Sequence, residues 1–386
     1  MLLSKKAAGS NSNRPAPEEN TLRVGVVGPL PPPSGGMANQ TRQLMELLVS
    51  RGIAVTLVRV NEPYRPAWVG KLKGIRAVPR LMAYIARLRR VARQVDVLHV
   101  MANSGWSWHL FAAPALWIAW LNKVPVVLNY RGGEAERFFI RSMRWIRPSL
   151  EKASLIAVPS GFLQAVFGRF GFDTTVVPNI VDLKRFRPKP ELSPLHTQRP
   201  HIVIARNLEP IYGLTTALRA FALLLREKPG ARLSIAGSGP QRQELEDLAL
   251  ALGIGQNVTF TGRLSPDEMA ELYRQADVML NPTTVDNMPN SILEGMASGL
   301  PIVSTHVGGV PYMVEHEKTA LLVPPEDPDA MSEQLVRVTS DMALYKSLAE
   351  NGLAEVTRYG IDAIVPEWVR IYCALAGYDS ALSESW

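Results

Sequence analysis

Short runs of β-branched and aliphatic residues alternate with longer amphipathic segments along this chain, and the whole alternation occurs twice. Such runs favour strands, amphipathic stretches favour helices, and their regular succession is the pattern of parallel sheets covered by helices. In the first half, strands are expected at Leu22–Val27, Ala54–Val60, Val97–Met101, Val126–Asn129, Leu155–Val158 and Thr174–Val177, with helices such as Met37–Arg51 and Gly161–Phe170 between them. The second half repeats the scheme at Ile202–Ala205, Arg232–Ala236, Val258–Thr261, Val278–Leu280, Ile302–Ser304 and Ala320–Val323. Between the halves, Arg187–Pro200 holds four prolines and little apolar content and reads as a linker. A chain of 386 residues also exceeds what one ordinary core organises. The expected fold class is α/β, with two Rossmann-like doubly wound domains, residues 21–190 and 197–360, facing each other across a cleft. In such sheets ligands bind outside the carboxyl ends of the strands, so the cleft is where function is sought.

Residues 1–20 are rich in Lys, Ser, Asn, Pro and Glu, lack the apolar stretch of a signal peptide, and are expected to form a flexible tail. The single cysteine, Cys373, allows no internal disulfide and no Cys-based metal cluster, which makes the cytoplasm the default location. Charge is unevenly shared: residues 1–195 hold 28 Lys and Arg against 11 Asp and Glu, while the rest of the chain is net acidic. That asymmetry points to a polyanionic partner for the first half. Between Arg65 and Arg93, basic residues interleave with Trp68, Leu72, Ile75, Leu81, Ile85 and Leu88, and the last three share a helical face. A basic amphipathic helix on an anionic membrane surface has this pattern, and so does a surface helix burying its apolar face in the core. A second cluster sets Arg137, Arg141, Arg144 and Arg147 beside Phe138, Phe139 and Trp145. No nucleic-acid module accompanies the charge, so nucleic acid is not an expected partner. The uncharged stretch Gly105–Leu121, with four tryptophans, is shorter than the ~20 residues of a membrane span and is expected to be a buried core helix. His99 and His109 lie in apolar surroundings and read as core residues. No His, Asp or Glu cluster has metal-ligand spacing, so neither metal nor cofactor is expected.

Three motifs are candidates for chemistry. In GPLPPPSGG, Gly28 to Gly36, the paired Gly35 and Gly36 stand at a strand-to-helix turn, where backbone N–H groups and a helix N-terminus can meet a phosphate; an ordinary Pro/Gly loop is the alternative. Neither this loop nor Gly237-Ser238-Gly239-Pro240 supplies the third glycine of a dinucleotide fingerprint. In DNMPNSILE, the carboxylates of Asp286 and Glu294 can accept hydrogen bonds from vicinal hydroxyls, and the free N–H groups at Asn290 and Ser291 can hold a phosphate. The same segment has the S-x-x-E spacing of a capping box, in which Glu294 only closes its own helix on Ser291. Arg206, just past a core strand in ARNLEPIYG, faces the cleft and suits bidentate phosphate contact, or is a plain surface arginine.

Taken in order, ARNLEPIYG, AGSGP, FTG, DNMPNSILEGMASGLPIVST and VGGVPYMV resemble the carboxyl half of glycosyltransferase family four, and GPLPPPSGG with VVPNIVDLKRF resembles its first half. The resemblance runs from about Leu22 to the end of the chain. It implies a GT-B fold, retaining transfer without a metal, a nucleotide-diphosphate sugar donor, and a last helix at residues 362–376 that returns to the first domain. The acid pair separated by seven residues falls on Asp286 and Glu294: by resemblance Glu294 takes the ribose hydroxyls and Asp286 lies near the transferred sugar or diphosphate. Arg206 falls on the diphosphate-binding arginine, and Gly35 and Gly36 on the glycines near the diphosphate. His306 and His316 are expected near this donor site.

Three positions depart from the family pattern. Asp286 stands where the first acid is Glu, Tyr212 where many members have Lys, and Arg131 where many have His; Arg131 can reach phosphate or acceptor but cannot act as a base. The implied activity is hexosyl transfer to a glycan or lipid-linked acceptor, as in bacterial cell-surface or exopolysaccharide synthesis, and the basic first half adds the inner face of the cytoplasmic membrane as the expected place of work. A non-catalytic sugar-binding relative and a nucleotide-sugar epimerase of the same fold are the alternatives.

Overall fold

The computed structural model describes residues 21–32, 35–62, 77–189 and 198–378. The expected tail, residues 190–197 of the linker, and Arg65, Trp68, Lys71, Leu72, Lys73, Ile75 and Arg76 of the first basic stretch lie outside the described residues.

The first unit runs β1 (Arg23–Gly28), α1 (Gly36–Ser50), β2 (Ala54–Arg59), α2 (Ala77–Ala92), β3 (Val97–Ala102), a π-helical turn Trp108–Ala112 continuing into α3 (Ala113–Leu121), β4 (Val126–Tyr130), α4 (Ala135–Leu150), β5 (Leu155–Val158), α5 (Gly161–Arg169) and β6 (Thr175–Val176). Its six strands are parallel and ordered β2-β1-β3-β4-β5-β6. Every residue of β3 and β4 is buried, as expected for strands covered on both faces.

The second unit comprises β7 (His201–Ala205), α6 (Leu214–Glu227), β8 (Arg232–Ala236), α7 (Arg242–Ala251), β9 (Val258–Gly262), α8 (Pro266–Gln275), β10 (Val278–Asn281), α9 (Asn290–Ala297), β11 (Ile302–Thr305), β12 (Leu321–Val323), α10 (Pro328–Ser340) and α11 (Met342–Val356). Its six parallel strands are ordered β12-β11-β10-β7-β8-β9. The last helix, α12 (Ile361–Ala376), packs on the first sheet beside α1, with Val365, Trp368 and Tyr372 buried against Val24, Val97 and Val127. Its Tyr372 hydroxyl lies 2.8 Å from His99 Nδ1. These two parallel sheets with flanking helices form an α/β two-domain fold of the GT-B kind.

Two expectations about the first unit are corrected by packing. Gly105–Leu121 is not one buried helix: Trp108 is fully buried, but Trp106 is 79% exposed and Trp117, Trp120 and Leu121 also reach the surface. The π-helical turn and α3 cover the sheet with one face only, so the remaining aromatic residues are left outside. No helix among the described residues is long and apolar enough to cross a membrane. On α2, the face made by Leu81, Ile85 and Leu88 packs into the domain core with Tyr84 and Val91, so it is not free to lie on a membrane. The large apolar side chains that α2 exposes are Val78 and Met82.

Candidate functional site

Strand order determines where loops diverge. In the second sheet β7 is flanked by β8 on one side and β10 on the other, and in the first sheet β1 is flanked by β2 and β3. Loops leaving adjacent strands in opposite directions open a crevice at their carboxyl ends. Arg206 directly follows β7 and Asp286 lies in the loop after β10; Gly35 and Gly36 end the loop after β1, and Asn103–Gly105 follow β3. All of them line one cleft of about 1060 Å³ between the two units. Arg131, Tyr212, Asn290, Ser291 and Glu294 line it as well, so the residues of the three motifs expected to bind or react, with Arg131 and Tyr212, stand in this one cavity.

At its centre the Arg206 guanidinium is held on three sides. Its Nε and Nη2 donate to Asn281 Oδ1 at 2.7 and 2.6 Å, Nη2 also pairs with Asp286 Oδ2 at 2.8 Å, and the Tyr212 ring lies 5.3 Å from the guanidinium carbon. Asn281 is itself anchored by donating to Ser304 Oγ at 2.8 Å. Nη1 makes no hydrogen bond among the described residues and is the donor left for a ligand. Burial raises the Tyr212 phenol above its ordinary value, so the ring stacks on Arg206 as a neutral group.

The capping-box alternative for Ser291 and Glu294 is not realised. The residue before α9 is Pro289, no side chain caps the helix, and Glu294 Oε2 instead accepts from the Tyr273 hydroxyl at 3.1 Å. The helix starts at Asn290, which places Ser291 inside the first turn, too late to cap it. Its Oγ is buried with no hydrogen-bond partner. Burial pushes the Glu294 carboxyl up to about 7, against the lowering effect of the Tyr273 hydroxyl and the Arg206 charge. An unpartnered hydroxyl and a buried carboxylate with a single hydroxyl donor thus face the cleft from the same helix.

Arg131 is tied into the junction between the units. Its Nη1 donates to Asn179 Oδ1, and Asn179 Nδ2 donates to Asn290 Oδ1 at 2.6 Å and to the Met288 carbonyl at 2.9 Å. Asn287 Nδ2 reaches back to the Gly132 carbonyl at 2.6 Å. Burial lowers the Arg131 pKa to about 10, which leaves it charged at neutral pH, and its Nε is buried without a partner. Arg131 therefore holds Asn290 and the start of α9 in place through Asn179.

Two pairs of glycines serve opposite purposes. Side-chain carbons at Gly308 and Gly309 would strike the backbone oxygens of Asp286 and Asn287 at 2.1 and 1.6 Å, so these glycines let the acidic loop seat. At Gly35 and Gly36 a Cβ would meet nothing within 4 Å, and Gly35 is extended, so no contact within the protein demands glycine there. The space above them is open to the cleft.

Histidine expectations are partly overturned. His99 is fully buried, with Asn129 and Tyr372 within hydrogen-bonding distance of its ring, and burial lowers its pKa to about 3. His109 is exposed, because the buried face of its π-helical turn is made by Trp108 and Ala112. His306 and His316 are exposed, and neither lines the cleft: His316 Nδ1 accepts from the Leu322 amide, and the His306 amide donates to the Val323 carbonyl, at the edge of the sheet. Sequence reasoning missed Asn281, Tyr273 and Asn287. Asn281 had a signal, a polar residue closing an apolar strand; Tyr273, on an amphipathic helix, had none.

Two family profiles match, one per unit: residues 34–185 match Glycosyltransferase Family 4 and residues 187–354 match Glycosyl transferases group 1. An uncharacterised glycosyltransferase of Methanocaldococcus jannaschii is 35% identical over 42% of this chain and 41% of its own length, so the chain spans less than half of that relative. A GDP-mannose-dependent alpha-(1-6)-phosphatidylinositol monomannoside mannosyltransferase of Mycobacterium tuberculosis is 27% identical over 82% of this chain and 88% of its own. Among solved structures, Anabaena HepE in complex with UDP superposes with a TM-score of 0.71 over 91% of this chain and 99% of its own, at 17% identity, a likeness of fold. With one profile on each domain and the ordered motifs of both halves around a single cleft, the chain belongs to glycosyltransferase family four, the group 1 glycosyltransferases.

Proposed function

We propose that this chain is a retaining, metal-independent glycosyltransferase that moves a sugar from a nucleotide-diphosphate donor to a glycan or lipid-linked acceptor in bacterial cell-surface or exopolysaccharide synthesis. The observation that carries the reading is the convergence of Arg206, Asp286, Glu294, the unpartnered Ser291 hydroxyl and the open Gly35–Gly36 turn on one cavity. The second domain, residues 197–360, holds the donor, and the first, residues 21–190 with α12, shapes the acceptor site. Glu294 accepts hydrogen bonds from the ribose hydroxyls, and Arg206 Nη1, the first turn of α9 and the amides at Gly35–Gly36 hold the diphosphate.

Transfer then proceeds on one face of the sugar. The bond from the anomeric carbon to the diphosphate oxygen breaks, the acceptor hydroxyl oxygen bonds to the same face, and its proton passes to the departing diphosphate. No protein base is needed, which fits an arginine at position 131. The protein contributes positioning and stabilisation of the leaving charge. Asp286 aims Arg206, and Tyr212 supports it by stacking. Of the three cleft carboxylates, Asp286 pairs with Arg206, Glu294 accepts from Tyr273 and Glu134 lies 3.6 Å from Arg137, and no group of three or more His, Cys, Asp or Glu among the described residues is placed to hold a metal.

The working location is the inner face of the cytoplasmic membrane. Helices α2, α3 and α4 form one layer over the first sheet, and that layer exposes Val78, Met82, Trp117, Trp120, Leu121 and Trp145 among many arginines. Interfacial tryptophans beside basic side chains suit an anionic bilayer surface.

A panel of nucleotide sugars, tested for thermal stabilisation and for slow hydrolysis followed by anomeric analysis, examines the reading. A new glycoside with retained configuration supports it. An isomerised donor would mark an epimerase, and saturable binding with no turnover on any acceptor a binding protein; either result overturns it.

A further inference from the structure

The donor reading accounts for the second domain's side of the cleft and leaves one group of cleft residues unused. The first turns of α4 present Glu134, Arg137, Phe138, Arg141 and Ser142 to the cavity, all from the first domain and spaced as one helical face. Arg137 pairs loosely with Glu134, at 3.6 Å, and its side chain is 67% exposed. Arg141 has no ion-pair or hydrogen-bond partner among the described residues. Elsewhere on and around α4 the arginines are engaged: Arg147 pairs with Glu151 and stacks on Phe172, Arg169 pairs with Glu136, and Arg144 stacks on Trp145. Away from the cleft Arg147 is held by an acid and a ring and Arg144 by the ring of its neighbour Trp145, whereas Arg141, facing the cleft, has no ion-pair, hydrogen-bond or ring partner among the described residues.

A donor diphosphate does not need these two side chains, since Arg206, the first turn of α9 and the Gly35–Gly36 turn serve it from elsewhere in the cavity. Two guanidinium groups one helical turn apart, with the Ser142 hydroxyl beside them and the Phe138 ring between them in the sequence, suit a second anion linked to a sugar ring. Guanidinium forks recognise phosphate oxygens, and an aromatic face packs on the apolar side of a pyranose. We infer that Arg137 and Arg141 form an acceptor subsite for phosphate, so that the acceptor of this enzyme carries a phosphate or diphosphate close to the sugar that is extended. This inference rests on the glycosyltransferase reading and names the acceptor class within it. The phosphate can belong to a lipid carrier or to a free sugar phosphate; exposed Ile140, between the two arginines in the sequence, makes the lipid form worth a separate arm.

The test begins by titrating UDP and GDP into wild-type protein. Failure of both to bind rejects the donor site, and with it the function on which this inference stands. With the donor site then filled by the nucleotide that binds, four probes are titrated: N-acetylglucosamine, N-acetylglucosamine 1-phosphate, farnesyl N-acetylglucosaminide and farnesyl diphosphate-linked N-acetylglucosamine. The expected result is about tenfold or greater preference for the phosphorylated member of each pair, declining as salt rises. Arg137→Gln and Arg141→Gln each reduce that preference and together abolish it, in proteins whose melting shows them folded, while Arg144→Gln retains it. A larger gain for the farnesyl pair assigns the phosphate to a lipid carrier, and equal gains assign it to a soluble sugar phosphate. Equal affinity for phosphorylated and neutral probes, or a preference that survives the double substitution, overturns the subsite and leaves the donor reading standing.

Discussion

Arg206 and Asp286 form an ion pair of 2.8 Å across the loops that leave β7 and β10, with side chains only 11% and 15% exposed. The pair closes the point at which the second sheet changes direction, so it links a structural joint to the proposed leaving-group site. Removing one partner strands the other in a poorly solvated place. Arg206→Ala is expected to cost about 2–4 kcal/mol of stability and to lower kcat/KM by about a hundredfold or more. In the double variant Arg206→Ala with Asp286→Ala, much of the stability returns and the activity does not. Urea unfolding and steady-state kinetics on the three proteins check this; recovery of activity with stability would assign Arg206 a purely structural role.

Glu294 makes a pH prediction whose sign follows from burial. Its pKa, about 7, lies above that of an unfolded carboxyl, so between roughly pH 4.5 and 7 the folded state holds a proton that the unfolded state has released. Its contribution to stability is therefore full below the unfolded value and is lost as pH rises through about 7, with a span on the order of 3 kcal/mol. Nucleotide affinity runs the other way, because the ionised carboxylate is the better acceptor for ribose hydroxyls. Glu294→Gln should flatten both dependences, bind nucleotide weakly at pH 8, and melt no lower than wild type there. A variant that melts several degrees lower and binds normally would contradict the ribose assignment.

Chelation supplies a third measurement. The Arg206 guanidinium sits 2.8 Å from Asp286, so a cation placed at that carboxylate would meet a positive charge already fixed there. Transfer is expected to continue at an undiminished rate in excess EDTA. Activity that vanishes with chelator and returns with magnesium or manganese rules out the metal-independent mechanism.

Membrane docking is testable by sedimentation with vesicles. Arg89, Arg90 and Arg93 are exposed on or just after α2, and each basic residue near an anionic surface contributes about 1 kcal/mol. Binding to phosphatidylglycerol vesicles is expected to fall as salt rises, and Arg89→Gln with Arg90→Gln should weaken it by about tenfold or more. Equal binding to neutral vesicles, or indifference to both salt and substitution, removes the electrostatic basis for the proposed location.

Much of the architecture could be read from the chain because periodicity is local. All twelve strands among the described residues lie within a residue or so of where β-branched runs placed them, since a parallel strand buried on both faces must be apolar along its length. The acidic segment was visible in the same way, as two carboxylates and free helix amides on one strand-to-helix turn. Whether Glu294 caps its helix or faces a ligand was not visible. That depended on Tyr273, distant in sequence, donating its hydroxyl to the carboxylate, and on the helix beginning at Asn290.

Amphipathic patterning likewise states that a helix has an apolar face without saying what covers it. The face of α2 built from Leu81, Ile85 and Leu88 is closed by its own domain, while Trp106, Trp117 and Trp120 of a stretch expected to be buried are left outside. The sequence by itself determined two parallel α/β units and the loops in which their polar residues would stand, because strand and helix preference act over a few neighbouring residues. Only the tertiary structure decided that Arg206 lies against Asp286, that Arg131 works through Asn179, and that Arg137 and Arg141 face the cleft. Those relationships join residues distant in the chain, and they arise from strand order and domain apposition, which no local propensity encodes.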